Sequence, residues 1–120
     1  MKRDWDCIRA ILIALEEKGD TASVIRSNEI RDFDGEAAAY NMKLLLQADL
    51  IEGQCASGLG LSVSCTAVSM TWEGHELLDK MRSITLWNKI KAGAREHAIP
   101  LSFDAIKLLG TEAIKSLIGG

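Results

Sequence analysis

The sequence predicts a mostly helical fold with one small β-hairpin. Apolar residues recur at three- and four-residue spacing along most of the chain, and proline occurs once in 120 residues. One stretch, residues 53–69, is instead small, polar and β-branched, as a hairpin requires. An apolar fraction of 48% is ample for a core, but only 5% of residues are aromatic, so aliphatic side chains must supply most of the packing. The length suits one domain with an appendage, here expected as a domain over 1–82 and a helical extension over 83–120.

Asp4 is placed to cap a first helix. Its apolar stripe runs Trp5, Ile8, Leu12 and Leu15, widened by Ile11, and Lys18-Gly19 stops it. Thr21 to Phe33 lacks a clean pattern: Val24 and Ile25 suit a short strand, Ile30 and Phe33 a short helix. Asp34-Gly35-Glu36 starts the next helix, with a capping carboxylate and an acid in the first turn, and Ala38, Met42 and Leu45 point inward. Leu50-Ile51 leaves it as a strand, and Gly58 and Gly60 mark the hairpin tip. Thr71 caps a helix whose inner face is Leu77, Leu78 and Met81. Ile84, Trp87, Ile90 and Ala94 line a further helix, and Pro100 breaks the chain. Ser102 caps the last helix, which Gly119-Gly120 ends. Gly110 inside it costs about 1 kcal/mol relative to alanine. Trp72 and Trp87 fall at core spacing and are expected to be buried.

The order helix, weak segment, helix, strand, hairpin, strand, helix resembles a winged helix-turn-helix domain with C-terminal helices. Tyr40, Leu45, Leu50 and Ile51, followed by Thr71, Glu73 and Gly74, match a pattern shared by many regulators of that fold. Asp49 stands where that pattern has glycine, at a position that often takes a left-handed backbone. The opening Met1-Lys2-Arg3-Asp4-Trp5-Asp6-Cys7-Ile8-Arg9, the block Thr71 to Glu76 and the run Leu86-Trp87-Asn88-Lys89 are similar to a bacterial and prophage-borne family of small winged-helix proteins. Asn41 stands where relatives often show histidine. The resemblance implies the fold and leaves the activity open.

In such a fold the helix before the hairpin enters the DNA major groove. Tyr40, Asn41, Lys43 and Gln47 are its candidate contacts: Asn41 and Gln47 suit adenine edges, and Tyr40 or Lys43 suits phosphate. The charge is unhelpful. Net charge is −3, and between Thr21 and Gly53 Arg26, Arg31 and Lys43 face Glu29, Asp32, Asp34, Glu36, Asp49 and Glu52. Basic residues gather later, at Lys80, Arg82, Lys89, Lys91 and Arg95, as a phosphate-facing or simply solvated surface. Phe103, Ile106, Leu109, Ala113 and Leu117 make the last helix too apolar to stand alone; pairing with a second copy in a homodimer is expected, with folding back as the alternative.

Other classes find little support. His75 and Asp79 share a helix face, but a third metal ligand is missing, and no cofactor is expected. No nucleophile signature or phosphate loop is present, so no catalytic residue is expected and the chain is read as a non-enzyme. Cys7 reads as a core residue. Cys55 and Cys65 flank the hairpin and could lie opposite each other, although a disulfide there needs an oxidising compartment that nothing in the sequence indicates. With neither a signal-peptide pattern nor a membrane-length apolar run, the expected location is the cytoplasm. The function expected is that of a DNA-associated regulatory or accessory protein of prophage type, with a protein-interaction module as the alternative.

Overall fold

A computed structural model describes residues 1–58 and 62–118, the side chain of Leu117 excepted. The tip expected at Gly60 and the helix end expected at Gly119-Gly120 lie outside the described residues. The chain forms two compact units, Met1–His75 and Glu76–Gly120.

In the first unit, α1 (Trp5–Glu17) starts where the Asp4 carboxylate accepts from the backbone N–H groups of Asp6 and Cys7. Cys7, Ile8, Ile11, Leu12 and Leu15 are buried. The segment after it turns on Asp20, whose carboxylate accepts from the N–H groups of Ala22 and Ser23 and from the Ser23 hydroxyl. These bonds, led by the Ser23 hydroxyl, hold the Asp20 carboxyl below its usual pKa.

Two residues, Ile25–Arg26, form β1, and the short helix expected around Ile30 and Phe33 is a single 3-10 turn at Ser27–Glu29. Ser27 explains the shortness: it is buried, and its hydroxyl accepts from the Cys65 N–H across the sheet, so the chain is tethered before a helix can run on.

Next comes α2 (Gly35–Gln47), capped by Asp34, with Ala38, Met42 and Leu45 buried as expected and Ala39 with them. It ends in a Schellman turn: the Leu50 N–H donates to the Leu45 carbonyl at 2.9 Å and the Asp49 N–H to the Leu46 carbonyl at 3.1 Å. Asp49 does hold the left-handed backbone, at φ 57°.

The chain then runs through β2 (Ile51–Gly58) and β3 (Ser62–Met70), which pair antiparallel in a sheet of order β1-β3-β2. The register shifts between Glu52 and Gly53, leaving Val68 as the extra residue of a bulge. Its carbonyl is taken up by the Lys18 ammonium.

A helix, α3 (Trp72–Met81), begins in the first unit and ends in the second. The division therefore falls inside α3, earlier than the boundary expected after residue 82. Thr71 fastens its start: the hydroxyl donates to the Asp49 carbonyl at 2.7 Å and accepts from the Gly74 N–H at 3.2 Å. Trp72 is 78% exposed, contrary to expectation. The α3 stripe of Leu77, Leu78 and Met81 is buried, and Trp72 at its first position lies off that stripe.

In the second unit, α4 (Ile84–Glu96) buries Leu86, Trp87, Ile90 and Ala94, while Ile84 at its first turn is exposed. Its end is again a Schellman turn, with Ala98 at φ 54°. Ser102 caps α5 (Phe103–Ile118). The two helices pack together: Ile106 is fully buried, and Gly110 sits where a Cβ would meet Ile90 and the Lys80 stem. The glycine thus trades helix propensity for close approach. No helix among the described residues is long and apolar enough to cross a membrane.

Candidate nucleic-acid interface

The outer side of α2 does not carry all four residues expected there. Lys43 and Gln47 are exposed and Tyr40 is half-buried, but Asn41 is 1% exposed. The Asn41 amide donates to the Ala37 carbonyl at 2.9 Å, and its oxygen accepts from the Asp4 N–H at 2.9 Å. Asn41 is therefore a tether between α1 and α2, with no donor or acceptor left pointing outward for a base edge. Position 41 flanks the buried arc of Ala38, Ala39 and Met42, and these two bonds turn its amide inward.

That tether brings a cation the sequence did not single out. With Asp4 pinned to α2, the segment before it runs along the helix, and Met1 lines a groove of about 220 Å³ with Glu36, Tyr40, Lys43, Ser62 and Val63. Lys2, next in the chain to Met1, is exposed, whereas Arg3 lies over the Trp5 ring, 4.7 Å from its centroid. The basic pair ahead of the Asp4 cap was the only sequence sign of it. Against these cations, Asp34 and Glu36 put negative charge at the start of α2.

The hairpin beside α2 is closed covalently. Cys55 and Cys65 face each other in the register and are joined by a disulfide. Their opposition was anticipated; the bond was not. Cys65 is buried, and its Sγ lies 3.3 Å from the Ala39 carbonyl oxygen of α2, so the base of the hairpin is seated directly on that helix. Cys7, the remaining described cysteine, is free and fully buried. Burial, aided by the Asp4 charge and opposed by a hydrogen bond with Asn41, pushes its thiol pKa up to about 11.

The basic residues of the second unit do not share one face. Lys91 lies over the Trp87 ring, 5.5 Å from its centroid, on the same side of α4 as Arg95, whereas helical geometry puts Lys89 about 160° from Lys91. Arg82 is bonded to Asp79 at 3.0 Å, and Lys80 is half-buried with its stem beside Gly110. The stripe expected to pair two copies is partly covered within the chain: Ile106 is buried, and Leu109 lies 3.5 Å from where a Cβ on Gly93 would stand. Phe103 and Ala113 are half-buried, and the Leu117 side chain lies outside what is described. Among the described residues, no three His, Cys, Asp or Glu side chains gather as a metal site, and His75 is exposed.

A helix delivered through a left-handed turn into a disulfide-closed antiparallel β-hairpin, with a helix start clamped on that turn, defines the class of small helix-and-hairpin unit present here. The chain belongs to the family described as Hypothetical protein (DUF2513), which matches residues 2–100. It is similar to a protein of Haemophilus influenzae (strain ATCC 51907 / DSM 11121 / KW20 / Rd) described as "Uncharacterized protein", 40% identical over 118 residues that cover 98% of this chain and 99% of that one. No solved structure matches.

Proposed function

We propose that Met1–His75 is a winged-helix domain and that the protein is a DNA-associated regulatory or accessory protein of prophage type, working in the cytoplasm without a cofactor. The observation that carries this reading is the antiparallel strand order β1-β3-β2, with β1 following α1 and α2 leading straight into the β2–β3 hairpin. A winged helix places its elements in that order, and the 3-10 turn Ser27–Glu29 stands where its second helix would be. The exposed side of α2 then serves as the recognition surface. Gln47 is suited to a base edge, Lys43 and Lys2 to phosphate, and Tyr40 to either backbone or sugar.

Two phosphate contacts per chain predict a shallow dependence of log affinity on log salt, with a slope of about −2. Asp34 and Glu36 oppose the approach of phosphate and keep the affinity low. In a reducing cytoplasm the Cys55–Cys65 pair is held as thiols, and the Ala39 carbonyl 3.3 Å from Cys65 Sγ is an acceptor for the reduced group.

Fluorescence anisotropy of a labelled duplex from upstream of the gene, at low and near-physiological salt, tests this reading. The expected result is a preference for that duplex over a random one, lost in Gln47→Ala, with affinity for both duplexes lowered about equally in Lys43→Ala. No binding at low salt overturns it. A second reading is then favoured by a specific observation: the acids at the start of α2 and the half-buried Leu44 and Leu46 suit a protein partner better than DNA.

A further inference from the structure

The absent second helix leaves a groove of about 700 Å³ between α1 and residues 25–33. One wall is the outer face of α1 and its end, with Asp6, Arg9, Ala10, Ile13, Ala14, Glu17 and Lys18; the other mixes apolar and charged residues, Ile25, Glu29, Ile30, Arg31, Asp32 and Phe33. The groove follows α1 over its whole length, so a helix of about the same length, 13 residues or roughly 20 Å, fits along it. We propose that the occupant is α1 of a second copy of this chain, lying antiparallel about a two-fold axis at Ile13.

The charge pattern along the outer face of α1 fits this partner. Arg9, Ile13 and Glu17 are spaced by four and form one line down the outer face of α1. A two-fold axis through Ile13 sets Ile13 against Ile13 of the second copy, and sets each Arg9 against the other copy's Glu17. The line reads cation, apolar, anion in one direction and its complement in the other, as an isologous interface requires. Ala10 and Ala14 beside Ile13 are small enough for the helices to approach closely. Ile13 itself is only half-buried within the chain, unlike Ile8 and Ile11 on the far side of the helix. Within one chain Arg9 and Glu17 stand about 12 Å apart along the helix axis, too far to pair with each other. The pairing needs no nucleic acid, so it stands or falls independently of the DNA reading.

Sedimentation equilibrium of the full chain, over about 1–300 µM, tests it, since a two-helix interface of this size predicts micromolar affinity. The expected result is a monomer–dimer equilibrium that Arg9→Glu and Glu17→Arg each weaken about tenfold, because each sets like charges together twice. Mixing the two variants restores association, since the mixed dimer has an attractive pair at both positions. Circular dichroism of each variant checks that the fold is kept, and Glu17, being exposed, supplies a variant that does not threaten it. A monomer throughout the range overturns the proposal. So does a dimer indifferent to either reversal, or a mixture that associates no better than its components.

Discussion

Replacing Gly74 with alanine would place a methyl group 2.0 Å from the Leu50 carbonyl oxygen and 3.1 Å from the carbonyl carbon. Neither side can step aside cheaply. The Leu50 oxygen also accepts from the Thr71 N–H at 3.1 Å, and Leu50 is the residue that closes the Schellman turn of α2. Thr71 meanwhile holds the same junction through the Asp49 carbonyl. An overpacked site of this kind costs about 3 kcal/mol or more, and alanine returns about 1 kcal/mol of helix propensity. The net loss is about 2 kcal/mol, or a fall in Tm of about 8–15 °C for a unit of this size. Urea titration followed by tryptophan fluorescence measures it. Gly19→Ala is the control, because a Cβ at Gly19 meets nothing within 4 Å; its effect should stay within about 0.5 kcal/mol. If Gly74→Ala is as mild as Gly19→Ala, the claim that α3 is clamped by close backbone approach is wrong.

Asn41→Ala removes the acceptor of the Asp4 N–H and should cost about 1–3 kcal/mol in the same titration; an unchanged midpoint would mean that water replaces the tether. Asp49→Gly relieves a left-handed backbone at φ 57° and should add up to about 1 kcal/mol, whereas a loss would assign the Asp49 side chain a contact of its own. The raised Cys7 pKa means the folded state holds this proton more tightly than the unfolded state does. Its contribution is therefore intact below pH 9.0 and lost as pH rises to about 11. The fall amounts to about 3 kcal/mol and should be absent in Cys7→Ala; equal pH profiles for the two proteins would refute it. Reducing Cys55–Cys65, which closes a loop of sequence separation 10, should lower stability by about 3 kcal/mol and leave the fold intact. Loss of β2–β3 amide protection in hydrogen exchange on reduction would contradict the second half of that statement.

The candidate interface was only partly legible. Lys43 and Gln47 lie outside as helical spacing predicts, because each falls well away from the Ala38–Met42–Leu45 stripe. Asn41 was misplaced for a simple reason: an amide looks like a surface residue in a sequence, and its burial depends on two partners, Asp4 and Ala37, of which the first is 37 positions away. Trp72 was misplaced in the opposite sense, since size and apolar character say nothing about which side of the first turn a side chain leaves from. Lys2 escaped notice because the place of its neighbour Met1 against α2 follows from that same Asn41 bond.

What the sequence determined by itself was local. Helix starts at Asp4, Asp34, Thr71 and Ser102, the stop before Gly19, the break at Pro100 and the left-handed turn at Asp49 all follow from interactions within a few residues, where side-chain chemistry acts directly on the backbone. The periodic stripes followed as well, because apolar burial imposes helical spacing. Only the tertiary structure decided the rest. It reduced the segment around Ser27 to a single turn by bonding it to β3, joined Cys55 to Cys65 across the hairpin, turned Asn41 inward, and folded α5 onto α4 through Gly93 and Gly110. Each of these depends on a partner remote in sequence or on the space a missing side chain leaves, and neither leaves a mark in the local pattern.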